Sequence, residues 1–313
     1  MTDFFINWVA NIPSFAAPFA LAALGLIISE KSGVLTLGAE GYMLVGALSG
    51  VGAILLLGGY PMAALLIAAA VTSLFSLIFA VMTVTLRVNQ VIASLAIIFL
   101  GQGLTSLIAT RAGWLNVPIA GLGRLNVPGL SDLPVIGPIL FQQDIVCYLL
   151  VPIFIGVVYV LNRTVIGLKL RAVGDGPDAA DAAGVSVNLV RYGAVMAGGA
   201  LVGLAGAYLS IGIAKLWVDG MSGGRGLIAI ALVIFARWHP WRALAGAVLF
   251  GGIEALIPRV AAIGLQVPQY FVMMTPYLAT LAVMVWASTR GRERAAFAMP
   301  RALGQPHTRE ERH

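Results

Sequence analysis

Three sets of residues in this chain have types and spacings suited to chemistry. The first lies between Asn162 and Arg191, reads NRTVIGLKLRAVGDGPDAADAAGVSVNLVR, and holds seven of the 32 charged side chains in one short stretch. Its centre, GDGPDAADAAG, contains the parts of a two-turn helix. Pro177 suits a first helical turn, Asp175 or Gly176 precedes it as cap, and Asp178 and Asp181 sit near the positive end of the helix dipole. Gly184 supplies the stop. Ala179, Ala180, Ala182 and Ala183 leave little side-chain bulk, so a partner can approach this backbone closely. The chemistry offered is docking; the plainer alternative is a wet loop that happens to contain a short helix.

The second set is neutral. Gln90, Ser94, Gly101 and Thr105 fall within an arc of about 60° at the helical 100° per residue, with Asn89 and Gln102 at its margin. Such a stripe suits either the passage of an uncharged polar solute or helix packing through hydrogen bonds and small residues. The third set is ionisable and lies inside apolar runs: Glu40 and Glu254. Charges are costly there and are read as functional by default, although Glu40 lies close enough to Glu30 and Lys31 for an ion pair or for access to water.

Other chemistries lack their residues. The three histidines, His239, His307 and His313, fall in a loop or near the end of the sequence, and there is no HExxH pattern. The single cysteine, Cys147, lies inside an apolar run and reads as core filler. No G-x-x-x-x-G-K-[ST] occurs, so the chain has no phosphate-cradling loop of its own. A secondary carrier would need paired ionisable groups near the bilayer midplane, and Glu254 alone is a fair candidate.

The elements that must position these residues are membrane helices. Of 313 residues 60% are apolar and 10% charged, and the mean hydropathy is +0.96; soluble domains run nearer 45–50% and about 25%. The fold class expected is all-α, a polytopic membrane bundle of about nine helices with one short helix on the polar loop. Spans are expected at 14–29, 34–57, 61–86, 89–110, 144–161, 192–213, 222–237, 241–258 and 269–288. One membrane domain would cover 1–288, with the polar loop at 162–191 and a basic tail at 289–313. The seventh run has only ten uninterrupted apolar residues, Leu227 to Ala236, about 15 Å of helix against a core of roughly 30 Å. Extending it takes in Arg225 and the glycines of MSGGRG. Either the helix is broken beside a pathway, or this is an outer-end turn from which Arg225 snorkels.

Charge sets the expected orientation. With the polar loop in the cytoplasm, 14 of the 19 basic residues fall on its side, and eight against five without the tail. That places the N-terminus outside and the C-terminus inside. Because the basic residues are scattered, topology accounts for the net charge of +6 and nucleic acid is not an expected partner. The preference for arginine, 16 against three lysines, suits a GC-rich prokaryotic genome, and the location expected is a prokaryotic plasma membrane. The loop from Arg111 to Gln143 should be an irregular outward connection, either a contact for another protein or a solvated linker. Trp217, Trp238 and Trp241 fit interfacial anchors.

At the polar loop the residues also carry a resemblance. Gly167-Leu168-Lys169-Leu170-Arg171-Ala172-Val173-Gly174, followed by Asp175, Pro177, Ala180 and Ala183-Gly184-Val185, resembles the ATPase-coupling loop of permease subunits in ATP-binding-cassette importers. SGVLTLGAEGYMLVGA from Ser32, VNQVIASLAIIFLGQGLT from Val88 and MSGGRGLIAIALVIFARWHP from Met221 agree with the simple-sugar, nucleoside and branched-chain amino acid group, and look most like the shorter permease of nucleoside importers. The resemblance implies no cofactor on this chain, with ATP and Mg held by a partner ATPase. It also implies a second, related and longer permease and an extracytoplasmic substrate-binding protein. Gly167, Arg171, Ala172, Gly174, Asp175, Pro177, Ala180, Ala183 and Gly184 would make the coupling contact, and tryptophan at Gly174 or Ala180 would detach the ATPase. The residues after Ser288 match no feature of the family.

Overall fold

The computed structural model describes residues 2–262, apart from Val127, Asp132, Pro134 and Val135, together with 299–307 and a few isolated positions between 274 and 285. Ten α-helices occur among the described residues: α1 Thr2–Glu30, α2 Ala39–Leu57, α3 Pro61–Ala80, α4 Gln90–Ala112, α5 Ile145–Arg163, α6 Val165–Asp175, α7 Pro177–Ala182, α8 Val187–Tyr208, α9 Arg225–Ala236 and α10 Pro240–Ala262. Three π-helical segments join them, at Val81–Thr85, Gly137–Phe141 and Leu209–Ala214, so that the third and eighth helices run on to Thr85 and Ala214.

Seven of these helices are long and apolar enough to cross a membrane, and they correspond to seven of the nine expected spans. The seventh expected span is the short α9, and the ninth, at 269–288, lies outside the described residues except for isolated positions. Two boundaries move. The first helix starts at Thr2 instead of near 14, and the second starts at Ala39, because residues 34–38 adopt no regular element.

The centre of the bundle is α8, against which α1, α2 and α3 all pack. Small residues make this contact close. A Cβ on Gly46 of α2 would stand 2.1 Å from the carbonyl oxygen of Gly203 on α8, and one on Gly25 of α1 would stand 2.5 Å from that of Gly198. Backbone meets backbone at both crossings, which is how small residues let helices associate where lipid removes the hydrophobic drive. The GxxxG spacings in α2 and α8 thus serve packing. By contrast, α4 and α5 leave Phe99, Leu100, Leu107, Val151, Ile155 and Tyr159 exposed, an apolar surface suited to lipid or another membrane subunit.

Between Asn116 and Leu122 the backbone of the loop after α4 is tied to the bundle, while Asn116, Pro118 and Ala120 stay exposed. Asn116, Ile119 and Leu122 donate backbone hydrogen bonds to the carbonyls of Trp217, Lys215 and Ile211. That arrangement corrects the expectation for two tryptophans. Trp217 is fully buried and Trp238 nearly so, leaving Trp241 as the exposed one of the three.

Candidate functional site

The polar loop folds as two helices at one end of the bundle. Thr164 begins α6: its hydroxyl accepts the Gly167 N–H at 3.2 Å. Gly167 is required at the turn from α5, since a Cβ there would lie 2.2 Å from the Val160 carbonyl oxygen. Then α7 starts with Pro177 at its first turn behind the cap Gly176, and it ends where Gly184 takes a φ of +81°. The Val185 N–H reaches back to the Ala180 carbonyl at 2.9 Å, the bond pattern of a glycine-terminated helix. This is the short helix expected from the sequence, at the expected place.

The two faces of the α6–α7 segment differ. Gly167, Gly174 and Ala180 face inward, with Ala180 packed beside Val173 and Val187 and a Gly174 Cβ placed 2.2 Å from the Lys31 carbonyl oxygen. Arg171 and Pro177 are half-buried. Ala172, Asp175, Asp178, Ala179, Ala182, Ala183 and Gly184 are exposed. A tryptophan at Gly174 or Ala180 would therefore collide with the protein's own interior, so those positions do not test docking. Ala179 and Ala183 do. Lys31, just after α1, lies under this segment; burial pushes its ammonium below the ordinary lysine range, and the nearby Arg171 adds to the effect.

The sites inside the bundle are saturated by their own chain. Residues 34–38 run beside the start of α4, where the Leu35 N–H donates to Gln90 Oε1 at 2.6 Å and the Leu37 N–H to Ser94 Oγ at 3.1 Å. Thr105 donates to the Gly101 carbonyl at 2.7 Å. Asn89 caps α4, its Oδ1 accepting from Val91 and Ile92 N–H groups, and Gln102 is exposed. Gln90, Ser94 and Thr105 are buried together along α4, while Asn89 and Gln102 stand apart from them at the surface.

A second interior cluster has Glu40 at its centre. The preceding residue, Gly38, packs on Ile97, seven residues and about 10 Å along α4 from its first turn. So Glu40, half-buried in the first turn of α2, lies beside the middle of α4 and not beside its start. Its carboxylate accepts from Ser222 Oγ at 2.6 Å and from the N–H groups of Gly224 and Gly226 at 2.8 and 2.9 Å. These include donors that the first turn of α9 would otherwise leave unsatisfied. Gly224, with φ +81°, makes the turn that starts the helix there. Arg225 is half-buried and its Nε donates to Glu254 of α10 at 3.2 Å. The short apolar run is therefore a helix that begins inside the bundle, about 18 Å long for its 12 residues. Glu30 is not paired with Glu40 or Lys31; it accepts from Trp238 Nε1 at 2.5 Å.

A family model described as the permease component of branched-chain amino acid transport systems matches residues 8–285. The chain belongs to that permease family. The permease is 38% identical to a putative glucose ABC transporter permease of Haloferax volcanii, across 94% of this chain and 95% of the relative. It is 34% identical to a guanosine ABC transporter permease of Bacillus subtilis, with 95% of each chain covered. A nucleoside ABC transporter permease of Lactococcus lactis is 33% identical over 88% of this chain and 90% of the relative. Haloferax volcanii and Bacillus subtilis each have a further glucose or guanosine permease similar to this chain, at 30% identity over 71% of it and 25% over 80%. The permease is thus a multi-pass membrane protein and a transport subunit of the ABC class, with no catalytic role of its own.

The Glu40 cluster could not be read from the sequence alone. The available signals were a glutamate in an apolar run and a glycine-rich turn before a run too short to cross; their contact joins residues about 185 positions apart.

Proposed function

We propose that this permease is the membrane subunit of an ATP-driven nucleoside importer and that the α6–α7 segment docks onto a separate ATPase. ATP and Mg are held by that ATPase and none is bound by this chain. The segment lies in the cytoplasm, with the N-terminus outside and the C-terminus inside. The domain at 1–288 pairs with a second, related permease and receives solute from an extracytoplasmic binding protein. The residues 289–313 lie on the ATPase side.

The observation that carries the coupling role is the two-faced α7. Its inner side is fixed by Ala180, Val173 and Val187, and its outer side presents Ala179, Ala182 and Ala183. A six-residue helix is too short to persist alone; held on one side and small on the other, it fits a groove rigidly and passes on the groove's displacement. Among the residues assigned to coupling, Gly167, Gly174 and Ala180 set the helices in place, while Arg171, Ala172, Asp175, Pro177, Ala183 and Gly184 meet the ATPase. The solute path uses Asn89, Gln90, Ser94, Gln102, Thr105 and Arg225.

Replacing Ala183 with tryptophan is expected to leave the permease inserted and to abolish co-purification of the ATPase. Wild-type co-purification would overturn the coupling role. Transport in vesicles is expected to fail on ATP depletion and to survive a protonophore. For the solute, nucleoside permeases of two organisms support the first choice, and the 38% identical putative glucose permease favours a simple sugar as the second reading; branched-chain amino acids rank third. Calorimetry of the cognate binding protein against nucleosides and pentoses decides between them.

A further inference from the structure

Residues 299–307, far in sequence from the bundle, are bound to four separate parts of it at the α6–α7 end. The Ala302 N–H donates to the Gly174 carbonyl at 2.9 Å, at the end of α6. The Gly304 N–H donates to the Gly33 carbonyl at 3.1 Å, in the turn between α1 and α2. The Gln305 carbonyl accepts from Arg191 Nη1 at 3.2 Å, near the start of α8. His307 Nδ1 lies 3.1 Å from a carboxylate oxygen of Asp178 on α7. Pro300 and Ala302 are buried and Leu303 packs on the main core. Nothing in the sequence pattern calls for this docking, because the segment is short and neither amphipathic nor long enough to form an element of its own.

Arg191 makes the arrangement hard to dismiss as a chance contact. It is 1% exposed, and its Nε and Nη2 have no partner among the described residues. A guanidinium so placed is costly unless acceptors reach it, and the Gln305 carbonyl is an acceptor that does. We propose that residues 299–307 form a strap that positions α7 and carries its displacement to the α1–α2 turn, a reading that rests on the coupling role proposed for α6–α7.

The reason is connectivity. On its own, α7 is seated by the small Val173, Ala180 and Val187 cluster, and that cluster reaches only α6 and α8. Through His307 and Gly304 the strap joins Asp178 to Gly33. From Gly33 the chain runs directly into residues 34–38, which hold Gln90 and Ser94, and on to Glu40, which caps α9. The strap thereby closes a continuous route of contacts from the exposed helix to the interior polar groups, its first link, His307 with Asp178, being an ion pair when the imidazole is protonated. A perturbation at the strap must therefore change coupling.

The test uses the full transporter, with both permeases, the ATPase and the binding protein, and has two independent arms. In a Cys147→Ser background, Ala302→Cys should react with a soluble maleimide at least about tenfold more slowly than Gln305→Cys, as expected of a site closed by roughly 1.4 kcal/mol of local opening or more. Equal rates would overturn the strap, whatever the ATPase does. In the second arm Ala302→Pro deletes the N–H that Gly174 accepts, and ATP hydrolysed per solute imported should rise several-fold while the ATPase still co-purifies. If Ala302→Pro prevents insertion, His307→Ala, which leaves every backbone bond in place, gives the decision with a smaller rise in the same ratio. An unchanged ratio with a released strap would overturn its role in transmission. Loss of coupling on Ala183→Trp but not on the strap variants would retain the docking role and discard the strap, and the converse would retain the strap and discard the docking face.

Discussion

The interior cluster around Glu40 and the α6–α7 segment are both polar, yet they spend their polarity oppositely. Glu40 is met by three donors from one turn and Arg225 by Glu254, so the interior groups are committed to their own chain. The α6–α7 segment commits its inner face and leaves a row of exposed small residues on the other. The difference teaches that burial in a membrane domain forces polar groups to find partners within the fold, whereas a surface helix is free to keep a face for something else.

If that contrast holds, Glu40→Ala is the most damaging single change. It leaves a hydroxyl and two backbone N–H groups of the α9 turn unsatisfied, and a loss of about 3–5 kcal/mol is expected, read as a fall in the thermal unfolding midpoint in detergent. An unfolding midpoint within a degree of wild type would show that the turn stands without its cap. Next comes Arg225→Ala, with a cost of about 2–3 kcal/mol because Glu254 is left buried and unpaired; adding Glu254→Gln should recover most of it in a double-mutant cycle. Additive losses would mean that the two side chains do not depend on each other.

At the loop end the expected costs are smaller and depend on the face. Gly174→Ala pushes a methyl against the Lys31 carbonyl and should cost about 1–3 kcal/mol. Ala179→Trp, on the open face, should change stability by less than about 0.5 kcal/mol while abolishing ATPase retention on an affinity column. Should both positions prove equally destabilising, the two faces would not differ as described. Smallest of all is Gln102→Ala: an exposed side chain is removed, so stability should be unaltered, and a several-fold fall in solute import would mark it as lining the path.

Much of this was legible before any coordinates. Long apolar runs fixed seven helices because bilayer thickness fixes the length of a spanning helix. Pro177, the alanines and Gly184 announced α7 because capping and helix-stop chemistry is local. The contact of Glu40 with the α9 turn was not legible, because residues 34–38, which lack helical structure and are held by Gln90 and Ser94, set where α2 begins. Trp217 and Trp238 were misjudged for a related reason: tryptophan near a span end usually anchors at the interface, and only tertiary contact reveals one buried in the fold.

The sequence by itself determined what depends on neighbours along the chain: the membrane class, the number and approximate ends of most helices, the short α7 and the family. Only the tertiary structure decided which face of α7 is open, which acid caps α9 and where residues 299–307 lie. The last two outcomes depend on contacts between residues more than a hundred positions apart, such as Glu40 with Gly226 and Gly174 with Ala302. Local propensity carries no record of such contacts; close packing and the need to satisfy buried polar groups select them once the helices assemble.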